Sequence, residues 1–201
     1  MSQRSFSQKV HGRLVRLGFR AIQWPRILIY RFFSTARVEG QPILHQPLQT
    51  TGLGVVEFSG QVRLGFFPSP FFLSTSAYIE VRNTNAKVTI GDGTWINNNF
   101  TVIAEHSFIN IGKRVLVGTG VEIFDSDFHG LDVKDRGLSN AEWAKPVVIE
   151  DEVFLGSNVR VLKGVTIGKG TVIANSSVVV KSIPPGVIAG GNPARVIRVI
   201  G

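Results

Sequence analysis

The chain has 201 residues, a formal net charge of +8 and 43% hydrophobic residues, a composition that suits one compact domain and excludes global disorder. It contains no cysteine, which excludes disulfides, cysteine-based metal sites and a thiol nucleophile. Any covalent mechanism would therefore have to use Ser or Thr.

Residues 1–37 form a basic N-terminal segment. They contain eight Lys and Arg residues and no acid, whereas the rest of the chain has fourteen of each sign, so the net charge belongs to this segment. Its apolar residues follow helical spacing, which predicts an amphipathic helix that Pro25 ends or kinks. The residues of this predicted face are Phe6, Val10, Leu14, Leu17 and Ala21.

Two interpretations of residues 1–37 remain open. The helix either packs on the first part of the following domain and caps it, or lies on an anionic membrane surface with its apolar face down. A signal peptide is not favoured, because Pro25 and Arg26 interrupt the apolar stretch. Nucleic acid is not an expected partner, because no recognised binding module accompanies the basic residues.

Apolar residues recur every six positions through most of the remaining chain. This period predicts short flat strands separated by regular corners, with every third hexad stacked on the first and the repeated residue pointing inward. The predicted fold is all-β, a prism-shaped parallel β-helix of hexapeptide repeats over residues 52–201. The predicted regular coils are 90–107, 111–128, 149–166 and 167–184, with less regular ones around Phe58, Leu64, Leu73 and Ile79. The predicted inward residues are Ile90, Ile96, Val102, Ile111, Val117, Ile123, Ile149, Leu155, Val161, Ile167, Ile173 and Val179.

The repeat is interrupted twice. Three extra residues precede Ile111, and a much longer excursion occupies residues near 124–148. A long excursion inside a regular solenoid is usually functional or disordered. This one contains Asp125, Asp127 and His129, which favours function.

The C-terminal sequence resembles that of the hexapeptide-repeat O-acetyltransferases, which include maltose and galactoside acetyltransferases and the sugar acetyltransferases of bacterial surface polysaccharides. The resemblance covers residues 88–200 well and 52–87 weakly, and it rests on the spaced hexads, the ending IPPGVIAGGNPARVIR and the stretch IFDSDFHGLD. It implies a left-handed β-helix, an exception to the usual right-handed crossover. It also implies a homotrimer with active sites between neighbouring subunits and acetyl-CoA as the donor; no metal is expected.

Acetyl transfer to a sugar hydroxyl requires a base, because an alcohol that keeps its proton is a poor nucleophile at neutral pH. His129 matches the family's catalytic histidine, and imidazole has a suitable pKa. Asp125 or Asp127 is expected to hold Nδ1–H so that Nε2 faces the acceptor. The alternatives are a solvated loop histidine and, for the aspartates, Asx turns at a corner.

The resemblance also assigns binding residues. Asn97 and Glu105 match positions that contact the acceptor sugar, and Trp95 is expected to stack on a sugar face, although an asparagine ladder at a corner is the alternative for this cluster. The cations of the coenzyme set suit phosphate groups, with a solvated edge as the alternative. The residues that align with the coenzyme contacts are Ser157, Asn175, Val180, Lys181, Arg195 and Arg198.

These observations lead to one main hypothesis and two alternatives. The chain is expected to acetylate a sugar hydroxyl of a surface polysaccharide (O-antigen, capsule or exopolysaccharide) or its lipid-linked precursor, by direct transfer at the cytoplasmic face of the membrane. Within the same class, the acceptor is instead a small free molecule, such as an antibiotic or a nucleotide-linked amino sugar. The alternative of another class is a non-catalytic β-helix used for binding or assembly, which His129 and the GGNPAR ending disfavour.

Overall fold

The computed structural model describes residues 6–201, which form one long helix followed by a three-sided stack of short strands. Arg4 lies outside the described residues, as do the side chains of Phe6, Lys9 and Arg16. The helix α1 is Phe6–Phe32, and two short 3-10 helices are Val133–Asp135 and Ala141–Trp143. The strands are β1 Arg37–Glu39, β2 Ile43–Leu44, β3 Leu48–Gly52, β4 Val55–Phe58, β5 Arg63–Leu64, β6 Ala77–Val81, β7 Lys87–Ile90, β8 Trp95–Ile96, β9 Thr101–Ala104, β10 Phe108–Ile111, β11 Leu116–Val117, β12 Glu122–Phe124, β13 Val147–Ile149, β14 Phe154–Leu155, β15 Arg160–Val161, β16 Thr166–Ile167, β17 Val172–Ile173, β18 Val178–Val179, β19 Val187–Gly191 and β20 Ala194–Val199.

Each strand from β1 to β15 pairs with the strand three positions later in the chain, and this pairing produces three parallel sheets. The first sheet is β1-β4-β7-β10-β13-β16, the second is β2-β5-β8-β11-β14-β17-β19-β20, and the third is β3-β6-β9-β12-β15-β18. In the first sheet Ile90, Ile111, Ile149 and Ile167 are in register on successive coils. The only antiparallel pair within residues 6–201 is β19 with β20, a C-terminal hairpin. The predicted parallel β-helix is thus confirmed.

The core is one continuous column inside the prism. All twelve inward residues predicted from the six-residue period are at most 4% exposed. Most are β-branched, which suits flat strands with neighbours stacked above and below. Full burial of each such side chain stabilises the fold by about 1.5–3 kcal/mol relative to exposure.

The solenoid begins earlier than predicted. Strands β1 to β3 form a first coil over residues 37–52, in which Leu44 and Thr50 pair with Leu64 and Ile79 of the next coil. Because Thr50 is polar, the pattern of apolar residues is interrupted at this position. The expected coil around Leu73 is also wrong, because Leu73 is 45% exposed in the loop of residues 65–76, whereas Ile79 is fully buried in β6.

Helix α1 lies against the first coil and passes through Pro25 without ending there, contrary to one of the two outcomes expected for Pro25. Pro25 and Ala21 are both exposed, so water can satisfy the Ala21 carbonyl that loses its N–H partner. The inner side of the helix carries Gln23, which is 3% exposed and donates to the Phe72 carbonyl. Nearby, the Phe19 ring centroid lies 4.1 Å from that of Phe67. Within residues 6–201, no helix combines the length and apolar character needed to cross a bilayer.

Candidate active site

The predicted site residues lie at two corners of the prism. The residues that follow strands of the second sheet form what we call the first corner, with Asn97 after β8, Ser157 after β14 and Asn175 after β17. The residues that follow strands of the third sheet form the second corner, with Glu105 after β9 and His129 after β12. Because parallel strands of one sheet end at the same edge, each set stacks along its own corner.

His129 is an exposed side chain at the second corner. It lines an open cavity of about 490 Å³ with Asp127, Gly130, Leu131 and Arg136. Its Nδ1 lies 2.8 Å from the backbone carbonyl oxygen of Arg136. A carbonyl oxygen can only accept, so in the neutral imidazole Nδ1 carries the proton and Nε2 has the lone pair. The ring is therefore held in the tautomer that a general base requires.

Gly130 allows the Arg136 carbonyl to come this close. A Cβ at position 130 would lie 2.5 Å from the Cβ of Asp135 and 2.6 Å from its carbonyl oxygen. Asp135 belongs to the first 3-10 helix, where its N–H donates to the Asp132 carbonyl at 3.0 Å. Only glycine leaves room for this helix to fold back against the start of the excursion.

Neither aspartate orients His129 as the sequence predicted, because the Arg136 carbonyl occupies Nδ1. Asp125 is fully buried, and its two oxygens accept the backbone N–H groups of Glu105, His106 and Ser107 at 2.8, 3.3 and 2.8 Å. Burial raises the pKa of Asp125 above its ordinary value, although these three N–H groups act in the opposite direction. Asp125 therefore fixes the three-residue bulge of the coil below.

Asp127 forms an ion pair with Lys163 instead. Lys163 follows β15, one coil above Asp127 along the second corner. The pair ties the start of the excursion to the regular coil above it.

Glu105 is almost fully buried, and Arg82 supports it from the coil below. Its Oε1 accepts from Arg82 Nη1 at 2.7 Å and from Ser139 Oγ at 2.8 Å. Burial alone would raise the pKa of Glu105, but the hydroxyls of Ser126 and Ser139 and the Arg82 guanidinium outweigh it, so the pKa lies below the ordinary value. Its Oε2 is buried without a hydrogen-bond partner among residues 6–201. Glu105 is therefore ionised at neutral pH, and its second oxygen is enclosed by the protein.

Phe128 completes the surroundings of His129. Its φ of 63° is left-handed, and its N–H donates to Ser126 Oγ at 3.2 Å. The Arg82 guanidinium carbon lies 4.9 Å from the Phe128 ring centroid, and the Phe124 ring packs edge-on at 5.7 Å. These contacts hold the residue that precedes His129 in a conformation that few phenylalanines adopt.

The first corner contains a groove of about 320 Å³. Trp95 is 43% exposed on its wall, with the Arg63 guanidinium carbon 5.0 Å from its ring centroid. Predicted acceptor and coenzyme residues meet here, because Trp95 and Asn97 line the same groove as Ser157 and Asn175. The remaining lining residues are Gly65, Phe66, Ile96, Leu116, Val117, Gly118 and Phe154.

The three asparagines at this corner differ in role. Asn98 is fully buried and binds the loop of residues 65–76, accepting from Phe66 N at 3.0 Å and donating to Pro70 O at 2.8 Å. Asn99 takes up a left-handed φ of 59°, as the corner alternative expected. Asn97 alone faces the groove, where its Oδ1 accepts from the N–H of Asn98.

The predicted coenzyme residues are divided between the two corners and the C-terminal hairpin. Ser157 N–H donates to Asn175 Oδ1 at 2.9 Å in the groove, while Val180 and Lys181 follow β18 at the second corner. Arg195 and Arg198 are on β20. Lys181, Arg195 and Arg198 are exposed, and none forms an ion pair with a carboxylate within residues 6–201, so their charges are available to an anion.

Three contributors were missed at the sequence level. Arg82 could have been found by counting coils, because it follows β6 directly below Glu105. Lys163 follows by the same count, one coil above Asp127. The Arg136 carbonyl has no comparable signal, since a backbone group carries no mark in the sequence.

Comparisons with known proteins agree with this fold. A family model described as bacterial transferase hexapeptide (six repeats) matches residues 146–181. Galactoside O-acetyltransferase of Lactococcus lactis is 41% identical over 115 residues, which are 56% of this chain and 53% of that protein. The chain spans about half the length of the first curated relatives it matches.

Two solved structures share the fold. A hexapeptide-repeat acetyltransferase from Vibrio cholerae, complexed with acetyl coenzyme A, superposes with a TM-score of 0.56 and 26% identity over 100% of this chain and 93% of that one. The polySia-specific acetyltransferase NeuO has a TM-score of 0.56 and 28% identity over 81% of this chain and 69% of its own. The resemblance of this chain to the hexapeptide-repeat acetyltransferases is confirmed in both sequence and fold.

Proposed function

We propose that this chain is an acetyl-CoA-dependent O-acetyltransferase that acts on a sugar hydroxyl. The observation that carries the proposal is His129, whose Nδ1 is bound to a backbone carbonyl and whose ring lines an open cavity on a hexapeptide solenoid. The relatives and structural neighbours described above are named acetyltransferases, and one of these structures contains acetyl coenzyme A.

The proposed reaction is a direct transfer in a ternary complex. His129 Nε2 takes the proton from the acceptor hydroxyl while the oxygen attacks the thioester carbonyl. A backbone N–H stabilises the oxyanion of the tetrahedral intermediate. The intermediate then expels the coenzyme A thiolate, which receives the proton from the His129 imidazolium. The products are the O-acetyl sugar and free coenzyme A, and His129 is again neutral.

We propose that the complete site forms between subunits of a homotrimer of left-handed β-helices, as the family resemblance implies. Support comes from the separation of the two corners on one prism. The groove with Asn97 and Ser157 is at the first corner, whereas His129 and Glu105 are at the second. In a three-fold assembly the first corner of one copy can face the second corner of its neighbour, which joins both halves.

The coenzyme is proposed to occupy the groove and continue toward the C-terminal hairpin. Lys181, Arg195 and Arg198 suit its phosphates because they are exposed cations without an acidic partner among residues 6–201. Ser157 and Asn175 suit the pantetheine arm, which carries amide groups and needs polar partners along a narrow groove.

The acceptor is proposed to be a sugar of a surface polysaccharide or its lipid-linked precursor, reached at the cytoplasmic face of the membrane. Trp95 is 43% exposed and offers a flat apolar surface to a sugar ring. Glu105 is assigned to the acceptor by the family resemblance, and a direct contact would require its buried Oε2 to become accessible. The match to NeuO, a transferase specific for polySia, supports a polymeric acceptor. The match to a galactoside O-acetyltransferase favours a small free sugar as the second candidate.

A thiol-release assay tests the activity and separates the two candidates. The full chain is incubated with acetyl-CoA and, in parallel, lipid-linked glycans, free sugars, nucleotide sugars and antibiotics. Acceptor-dependent release that is fastest with the lipid-linked glycans supports the proposal, and fastest release with a free sugar supports the second candidate. Absence of release with every acceptor, from a trimer shown to bind acetyl-CoA, would argue for a non-catalytic binding protein.

A further inference from the structure

The outer side of α1 carries a straight apolar stripe that faces away from the body. The spacing of its members alternates between three and four residues until Leu28, so they share one face of the helix. Leu14, Leu17 and Trp24 are 62%, 61% and 65% exposed, and Phe32 is 82% exposed. We call this face the outer stripe: Val10, Leu14, Leu17, Ala21, Trp24, Leu28 and Phe32.

The contacts of α1 prevent the outer stripe from turning inward. Phe19, Gln23 and Arg26 lie on the opposite side of the helix, where Gln23 binds the Phe72 carbonyl and Arg26 Nη2 donates to the Thr75 carbonyl at 2.9 Å. Phe19 packs against Phe67 and Phe72. The helix thus has two apolar faces, of which only one meets the body.

The described charged side chains of α1 beside the outer stripe are all positive. Arg13, Arg20 and Arg31 are exposed along one edge of the stripe, and the first acidic residue of the chain is Glu39. A row of exposed apolar side chains bordered by cations fits the boundary of an anionic bilayer, where the apolar groups enter the acyl region and the cations meet the headgroups.

A second copy of the helix suits the outer stripe less well. The three-four spacing is also that of helix pairs, in which opposite charges beside the seam often stabilise the pairing. Here both copies would bring only arginines to it, because the helix contains no acid. Like charges beside a seam repel, whereas the same arginines attract anionic lipid.

We propose that the outer stripe is a docking surface for an anionic membrane, on which α1 lies parallel to the bilayer plane. The apolar row from Val10 to Phe32 is about 33 Å long at the rise of an α-helix. The docking surface holds the solenoid beside the membrane through the contacts of Gln23 and Arg26. This interaction is independent of the proposed transfer reaction, because none of its residues belongs to either corner.

Vesicle co-sedimentation of the full chain tests this proposal. Vesicles of phosphatidylcholine with phosphatidylserine are compared with vesicles of phosphatidylcholine alone. We expect binding to the first only, weakened by added salt. The double variant Leu14→Asp, Leu17→Asp should lower the partition coefficient by about a hundredfold or more, because two leucines lose their burial. The double variant Arg13→Glu, Arg20→Glu should lower it by about tenfold or more.

The matched control is Leu53→Asp, at a side chain that is 72% exposed on the loop after β3 and lies outside the outer stripe. It should bind vesicles as the wild type does. Brominated lipid should quench tryptophan emission in the wild type, and the loss of that quenching in Trp24→Phe would place the stripe in the bilayer.

Three outcomes would overturn the proposal. The first is that the wild type does not sediment with anionic vesicles. The second is that the Leu53→Asp control loses as much vesicle binding as the stripe variant. The third is a lower assembly mass by light scattering for the Leu14→Asp, Leu17→Asp variant, which would assign the stripe to a second copy. Thiol release with a free sugar should be unchanged in the stripe variant. If the transferase proposal fails, the vesicle result can still be interpreted. If the vesicles are not bound, the thiol-release result can still be interpreted.

Discussion

Asp125 and Glu105 are buried carboxylates at the second corner, and their hydrogen bonds differ. Asp125 binds three backbone N–H groups with its two oxygens and is fully buried, so a ligand cannot reach it in the observed arrangement. Glu105 has one oxygen bound by Arg82 and Ser139 and the other free. At the residue scale, therefore, Asp125 shapes the bulge, whereas Glu105 is a buried carboxylate held by Arg82 and Ser139.

Asp125→Ala should destabilise the fold, because it leaves three N–H groups at the bulge without an acceptor. The expected loss is about 2–4 kcal/mol in the free energy of unfolding, measured by urea denaturation. Asp127→Ala is the matched control. Its ion pair with Lys163 is partly exposed, so a loss of about 0–1 kcal/mol is expected. Equal losses in both variants would contradict the structural role of Asp125.

Glu105 should contribute a pH-dependent part of the stability. Its folded-state pKa lies below the ordinary 4.5, so the folded state binds fewer protons than the unfolded state. The contribution is complete above that ordinary value and is lost as the pH falls through the folded pKa. Unfolding curves of Glu105→Gln should therefore depend less on pH in this acid range than those of the wild type. An identical acid dependence would refute the assignment.

At the element scale, the excursion places the backbone carbonyl of Arg136 beside His129. Gly130→Ala should disturb it, because the new Cβ would meet the Cβ and carbonyl of Asp135 and displace the 3-10 helix that precedes Arg136. We expect kcat to fall by about tenfold or more with little change in global stability, since the base loses its fixed tautomer.

Gly137 in the same excursion provides the control, because a Cβ there has no atom within 4 Å. Thiol release by Gly137→Ala should equal that of the wild type. Full activity of Gly130→Ala would show that the contact between Nδ1 and the Arg136 carbonyl does not matter for catalysis.

The regular coils could be predicted because a six-residue period is a local pattern with one apolar residue at each step. The first coil was not predicted, because Thr50 replaces the apolar residue of the repeat. A coil was wrongly predicted around Leu73, because this apolar residue lies in the loop of residues 65–76 and not in a strand. The site was predicted as a set of residues but not as a set of contacts. Asp125 and Asp127 had suitable side chains for orienting His129, and only three-dimensional folding shows that a backbone carbonyl does so.

At the scale of the whole molecule, the stack determines which residues meet. Each corner gathers residues that are far apart in sequence, such as Arg82, Glu105 and Asp125 at the second corner. The groove of the first corner and the cavity of His129 are separate on one chain. The proposed trimer would join them, which would account for predicted acceptor and coenzyme residues at both corners.

The central claim is that His129 is the general base of an acetyl transfer. With the best acceptor from the thiol-release assay, His129→Ala should lower kcat by about a hundredfold or more, as expected for a positioned base. The assembly mass should be unchanged, and His11→Ala, an exposed histidine on α1, should behave as the wild type. Near-normal turnover of an intact His129→Ala assembly would contradict the account.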